Sequence, residues 1–223
     1  MRTDKTTANK LRKQGKSYQE ISSELGMSKS TLNQWFGQKT WSKKIKKQLS
    51  AKAQTEATLR MKNISKKAKE AREKLYSQKR NDAEILYRKF SKEKLFIAGL
   101  MMYWGEGDSK LANGQIRVAN SNPLLIKYFH LFLKRYLPEL KEKIKMYLVL
   151  YPDLSDSACK KHWSITVGIS LDKFFKSHYI IGHSAKRTLP YGIGTIIITS
   201  RANKEIICRW LELKQKEIKN LRV

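Results

Sequence analysis

The chain has few acids. It carries 19 Asp and Glu against 47 Lys and Arg over 223 residues, a formal net charge of +28 and a pI near 10.1. That surplus calls for a polyanion. Nucleic acid is the usual one, because each Lys or Arg laid on a phosphate releases condensed counterions and the gain accumulates contact by contact. Long apolar runs are missing as well: the longest, Leu95 to Trp104, falls far short of the roughly 18 residues of a spanning helix. This excludes a spanning segment and makes a membrane surface the poorer partner. The opening "MRTDKTTANKLRKQGK" lacks the apolar core of a signal peptide, so secretion is not expected. Cysteine is scarce, with only Cys159 and Cys208, which excludes a disulfide framework and a four-cysteine zinc site and fits a reducing cytoplasm.

Residues 8–38 read "ANKLRKQGKSYQEISSELGMSKSTLNQWFGQ", with Leu11, Ile21, Leu25, Leu32, Trp35 and Phe36 at helical spacings in three short runs. Ser17 and Glu20 have the spacing of a capping box, in which each side chain satisfies the other's free backbone N–H. Gly26 suits the positive φ of a helix stop, and Ser28 is placed to cap the next helix. The order is helix, tight turn, helix. These residues resemble the helix-turn-helix domain of resolvase and invertase type, whose last helix enters the major groove by its N-terminal end. Carried over, the resemblance makes Lys29, Ser30, Thr31, Asn33 and Gln34 the DNA-contacting residues, and they include amide and hydroxyl types that read base edges. The plainer alternative is a three-helix bundle that binds protein.

Glycine and proline are absent from Gln38 to Ala98. Between Gln38 and Lys94 there are 15 Lys and 4 Arg against 5 Glu and 1 Asp, a net of +13. One or two long helices are expected. Ile45, Leu49, Ala53, Ala57, Met61, Ile64, Ala68, Ala71 and Leu75 form a thin apolar stripe stepping by three and four. Alanine buries little, so a solvated basic linker that lies on phosphates is favoured over pairing of two chains.

From Leu95 onward the pattern changes. Period-two alternation predicts strands at Gln115–Asn120, Lys143–Tyr151 and Tyr191–Ser200. Asn122-Pro123 opens a helix with Leu124, Phe129, Phe132 and Leu133 available for one face, and "NKEIICRWLELKQKEIKNL" forms another. The stretch "YPDLSDSACKKHWSITVGIS" lengthens the middle. Trp163 and Trp210 fall among apolar helix positions and read as core. The fold class is α+β, divided as 1–40, a basic helical linker 41–94, and 95–223.

Leu95 to Gly105 reads as an apolar helix, with the small residues Ala98 and Gly105 on one face. Glu106 follows at the negative end of the helix dipole, where a carboxylate is disfavoured by about 0.3 to 1 kcal/mol. A cation would offset that. Mg²⁺ is held by one or two carboxylates plus waters and phosphate oxygens, and glycines on either side would let a phosphodiester approach. The run "FIAGLMMYWGEGDS" resembles the LAGLIDADG motif of homing endonucleases and their relatives, in the variant ending Gly-Glu-Gly. The order of elements from Leu95 to Leu221 is similar too.

The resemblance implies a LAGLIDADG-like domain with a curved antiparallel sheet seated in the major groove of double-stranded DNA. It implies Glu106 as catalytic metal ligand, Mg²⁺ as the cofactor and metal-dependent hydrolysis of phosphodiesters as the activity. One motif per chain implies a homodimer on a site of approximate two-fold symmetry. Gln115 and Arg117 share one face of their strand, and Lys143, Lys145 and Tyr147 share a face of the next; these are the expected DNA contacts. A basic loop with Lys186 and Arg187, flanked by Lys176, His178 and His183, is placed to follow a phosphate strand. Asp108 reads as a solvated loop residue. Two alternatives stand beside the endonuclease: a transcriptional regulator that binds without cutting, and a transposase or integrase, which would need Asp153 and Asp156 to converge with Glu106.

A nucleic-acid partner has a direct consequence in salt. The logarithm of duplex affinity should fall linearly with the logarithm of salt, by about 0.9 per phosphate neutralised. Fluorescence anisotropy across a salt series measures this, and an affinity flat in salt would contradict it.

Overall fold

The computed structural model describes residues 3–180 and 189–220. The chain divides into two compact units, Met1–Ala71 and Arg72–Val223. The boundary lies inside the stretch read as a linker, within a single helix, α4 (Thr40–Phe90). No helix among the described residues is long and apolar enough to cross a membrane.

The first unit holds α1 (Thr3–Lys13), α2 (Tyr18–Leu25), α3 (Lys29–Phe36) and the start of α4. Ala8, Ile21, Leu32 and Phe36 form its buried centre, with Leu11, Tyr18, Trp35 and Trp41 packed around them. The capping box is present: Ser17 N–H donates to Glu20 Oε2 at 2.7 Å, and Glu20 N–H to Ser17 Oγ at 3.2 Å. Gly26 ends α2 at φ 64°, a conformation that glycine adopts without a Cβ clash. Arg12 ties α4 to α1. Its guanidinium donates to Ser42 Oγ at 3.1 Å and to the Ser42 carbonyl at 3.0 Å, and lies over the Tyr18 ring.

The second unit is α+β. After the last turns of α4 come α5 (Lys94–Glu106), β1 (Gln115–Asn120), α6 (Pro123–Tyr136), a 3-10 turn (Pro138–Lys143) and β2 (Lys145–Leu150). The chain continues through α7 (Asp156–Val167), a short β3 (His178–Tyr179), β4 (Ile193–Thr199) and α8 (Arg201–Lys219). The strand order is β1-β4-β2-β3. β4 is antiparallel to both β1 and β2, whereas β3 is parallel to β2. The sheet is therefore mixed rather than antiparallel throughout. The lengthened middle supplies the reason: it folds as α7, a crossover that carries the chain back to run beside β2 in the same direction.

Alternation divides the sheet into two faces. Ile116, Val118, Met146, Leu148, Leu150, Ile196 and Ile198 are buried in the core with α5, α6 and α8. Phe96 of α5 lies at the middle of that core, with Tyr87, Phe132, Tyr136 and Trp210 around its ring at centroid distances of 5.0 to 6.0 Å. Trp163 and Trp210 are fully buried, as the sequence led one to expect. Leu124 departs from expectation. It stands in the first turn of α6 at 65% exposure, on the side of the helix that it shares with the exposed Leu131 and away from the buried Ile126, Phe129 and Leu133. Within the chain, the close approach of α6 to α5 is at Gly99. A Cβ at Gly99 would meet Phe132 at 2.4 Å, whereas one at Gly105 would meet nothing within 4 Å.

Truncating Phe96 to Ala should cost roughly 3–5 kcal/mol of stability, the range for buried aromatic removal, and Leu124→Ala within about 0.5 kcal/mol. Urea unfolding of the two variants checks the contrast.

Candidate nucleic-acid interface

Two surfaces carry the residues singled out in the sequence. On the first unit, Lys29, Ser30, Asn33 and Gln34 are exposed on α3. Thr31 is half-buried. Its hydroxyl lies 2.9 Å from Ser28 Oγ, and its N–H donates to the same oxygen at 3.2 Å, so it serves the helix cap. Lys29 reaches back to Gln19 Oε1 at 2.5 Å. The N-terminal half of α3 lines a cleft of about 580 Å³ whose other wall is Lys46, Leu49 and Ser50 of α4. The sequence reading missed Lys46 as a companion of α3, since only the path of α4 brings it there.

On the second unit, the sheet face opposite the core is the candidate surface. Strand pairing sets its residues in rows: Arg117, Ile197 and Lys145 form one, and Ala119, Thr195 and Tyr147 the next. With strands about 4.8 Å apart, Arg117 and Lys145 stand about 10 Å from each other across the face. Gln115 lies beside Thr199 at the end of β1. Arg117 keeps 45% of its side chain exposed, and Tyr147 meets His178 edge to face at 5.2 Å. Lys143 is not on this face by strand register; it is the exposed last residue of the 3-10 turn, two positions before β2 begins. Lys186 and Arg187, with His183, lie outside the described residues.

A concavity of about 460 Å³ at the rim of this face is lined by Glu106, Asp108, Lys110, Arg117, Tyr147 and Thr195, among others. Glu106 is the last residue of α5, exposed, with no ion pair to another described residue. The backbone just after it is fixed. Gly107 N–H donates to the Tyr103 carbonyl at 2.9 Å, and Gly107 bridges to Val118 of β1. A Cβ on Gly107 would collide with that carbonyl at 2.3 Å, so glycine is required there.

Asp108 corrects the reading of a solvated loop residue: only 10% of its side chain is exposed. One carboxylate oxygen accepts from the Asn113 amide at 2.7 Å and the other from Lys110 N–H at 2.9 Å. Lys204 of α8, fully buried, places Nζ 3.6 Å from Asp108 and donates to the Lys110 carbonyl at 2.8 Å. Burial pushes the Lys204 ammonium below the usual lysine range, against the pull of Asp108. The bond from Asn113, with Lys110 N–H and the nearby cations, holds the Asp108 carboxyl below the usual aspartate range. Arg201 fastens the same loop, donating to the Leu111 carbonyl at 2.7 Å. No local pattern points to this, since Lys204 sits far along the chain in a run that reads as a charged helix start.

A divalent cation needs oxygen ligands that are not already committed. Glu106 meets that condition as a single carboxylate beside cationic side chains and a surface open to a phosphate. Asp108 meets it less well, because each of its oxygens already accepts a hydrogen bond and the Lys204 ammonium lies 3.6 Å away. Among the described residues no three His, Cys, Asp or Glu gather as a metal-binding group. Asp156 pairs with Lys160 at 2.9 Å in the first turn of α7, and the three-carboxylate cluster that a transposase reading requires is not formed.

Because the folded-state value of Asp108 is depressed, its stabilising contribution is fully present above the ordinary aspartate range and is lost as pH falls through the depressed value. Asp108→Asn should lower the melting temperature near neutral pH, and the two proteins should converge as acid protonates the parent. Melts from neutral pH into acid measure this. No family model, curated protein or solved structure matches this chain, and the site's chemistry rests on its own residues.

Proposed function

We propose that this chain is a sequence-specific double-stranded-DNA-binding protein with two reading surfaces, α3 of a helix-turn-helix unit and the open sheet face of a LAGLIDADG-like unit. The observation that carries the reading is the asymmetry of the sheet. Helices bury one face, while the other sets Arg117, Lys145, Gln115 and Tyr147 across a width of about 10 Å, comparable with the roughly 12 Å of a B-form major groove. Arg117 and Lys145 supply the phosphate contacts and Gln115 a base-edge contact. On the first unit, Ser30, Asn33 and Gln34 offer base-reading groups, with Lys29 and Lys46 for the backbone.

The exposed face of α5 supports a homodimer. Ala98 and Gly105 are exposed on it, Trp104 is 42% exposed and Met101 half-buried, so a second copy could approach closely and bring its own Glu106. In the endonuclease reading, Glu106 of each subunit would hold Mg²⁺ at the rim of the DNA-binding face, where the end of α5 carries it. The metal would supply Lewis-acid stabilisation of the attacking and leaving oxygens of the phosphodiester. The commitment of Asp108 to Asn113 and Lys204 leaves one uncommitted carboxylate per chain, which favours the second reading, a regulator that docks on DNA without cutting it.

Incubation with a randomised duplex library and Mg²⁺, followed by sequencing of bound fragments and new ends, tests both readings. A recurrent bound sequence is expected. Asn33→Ala with Gln34→Ala should relax it, and Arg117→Ala with Lys145→Ala should lower the salt slope by about 2, one per phosphate contact. New ends that vanish in Glu106→Gln with binding intact assign cleavage. Bound fragments without ends assign the regulator, and binding with no sequence preference would contradict the proposal.

A further inference from the structure

At the C-terminal ends of α6 and α7 the second unit encloses a small hollow of about 110 Å³. Its wall comes from three separate stretches. His130 and Lys134 belong to α6, Lys141 to the 3-10 turn before β2, and Ser170 and Lys173 to the segment after α7. Three lysines and a histidine thus line one concavity. The negative end of a helix dipole accounts for Lys134, which sits in the last turn of α6. It does not account for Lys141 and Lys173 arriving from elsewhere. Lys173 pairs with Glu142 at 2.9 Å, but that carboxylate is 78% exposed, and pairs of this kind are weak. The hollow therefore keeps a positive surplus.

His130 adds chemical selectivity. It is buried, and its Nδ1 lies 3.0 Å from the Val167 carbonyl oxygen. A carbonyl only accepts, so Nδ1 carries the hydrogen, and in the neutral ring Nε2 is an acceptor with no partner among the described residues. Burial, reinforced by Lys134 and Lys173, keeps the imidazole below the usual histidine range and favours that neutral ring, against the pull of the Val167 carbonyl. A ligand that suits both features is an anion bearing an O–H: its oxygens meet the lysines and Ser170, while its hydroxyl donates to Nε2. The volume is well under the roughly 300–1,000 Å³ of sites for drug-sized molecules, and suits one tetrahedral group.

We infer that this hollow is a binding site for inorganic hydrogen phosphate, which keeps an O–H in both forms present near neutral pH, whereas the end of a phosphate monoester is there mostly a dianion without one. It is separate from the DNA-binding surfaces and does not depend on that reading. A phosphodiester lacks the O–H, and sulfate at neutral pH lacks it too.

The test follows the His130 ring resonances of the full chain by NMR during titration with inorganic phosphate, sulfate and methyl phosphate at matched ionic strength. A saturable shift with inorganic phosphate is expected, and sulfate should bind about tenfold or more weakly, the loss of one hydrogen bond in a charged site. Lys141→Ala with Lys173→Ala should weaken phosphate by at least about tenfold. Removing two lysines from exposed α4, Lys62→Ala with Lys66→Ala, should leave the titration unchanged. Methyl phosphate, mostly a dianion without an O–H near neutral pH, should bind weakly as sulfate does, and methyl phosphate binding as tightly as inorganic phosphate would contradict the role given to His130 Nε2. An unsaturating shift equal for phosphate and sulfate, or equal in both lysine variants, would overturn the site and leave only counterion attraction to a basic surface.

Discussion

Packing around the Phe96 ring is the constraint on which the second unit depends. Tyr87 from α4, Phe132 and Tyr136 from α6, and Trp210 from α8 all meet it, so one side chain of α5 fixes the mutual positions of four helices. Gly99, one turn further along, lets Phe132 lie against the α5 backbone. With α5 held this way, its last residue, Glu106, comes out at the rim of the sheet; the glycine after it bonds back to α5, and Asp108 N–H donates to the Arg117 carbonyl of β1 at 3.0 Å. The same helical layer that holds α5 also covers the core face of the sheet. The opposite face carries Gln115, Arg117, Lys145, Tyr147 and Thr195, set among the apolar Ala119, Val149, Ile193 and Ile197.

The few acids are used mainly within the fold. Glu205 pairs with Arg80 and Arg201, Glu212 with Arg80 and Arg209, and Glu84 with Arg209, which fastens the end of α4 to α8. Trp210 adds a hydrogen bond to the Ala83 carbonyl at 2.9 Å. Asp108 serves Lys204 and its own loop. Internal pairing of the acids leaves the surplus of lysines outward, and residues 50–75 of α4 are exposed at every position. Glu106 differs from these acids in standing at the rim of a basic face with no ion pair to another described residue. That contrast is the structural reason for placing it, rather than Asp108, toward an incoming phosphate.

Local patterns were legible in the sequence. The alternation of β1 gave its bounds as observed, and β2 and β4 were displaced by only one or two residues at their ends. The capping box of Ser17 and Glu20 needed three residues of context, and the cap of Asn122 on α6 needed two. What depended on distant chain was not legible. β3 is two residues long and carries no period, and its parallel pairing with β2 follows from the crossover through α7. Lys204 reads as solvated until Asp108 and the Lys110 carbonyl are seen beside it, 94 residues earlier in the chain for the latter. Lys143 alternates correctly with Lys145 but belongs to a turn, because the Pro138 segment continues through it.

The central claim, that the open face of the sheet is the one that meets DNA, is tested most directly by site-specific photo-crosslinking. A photoreactive phenylalanine analogue replaces Tyr147 on that face, or Ile165, which is 73% exposed on α7 in the helical part of the unit. Duplex DNA should crosslink from position 147 and not from 165, and the yield should fall as salt rises. Equal crosslinking from both positions, or crosslinking from 165 alone, would contradict the assignment of the face.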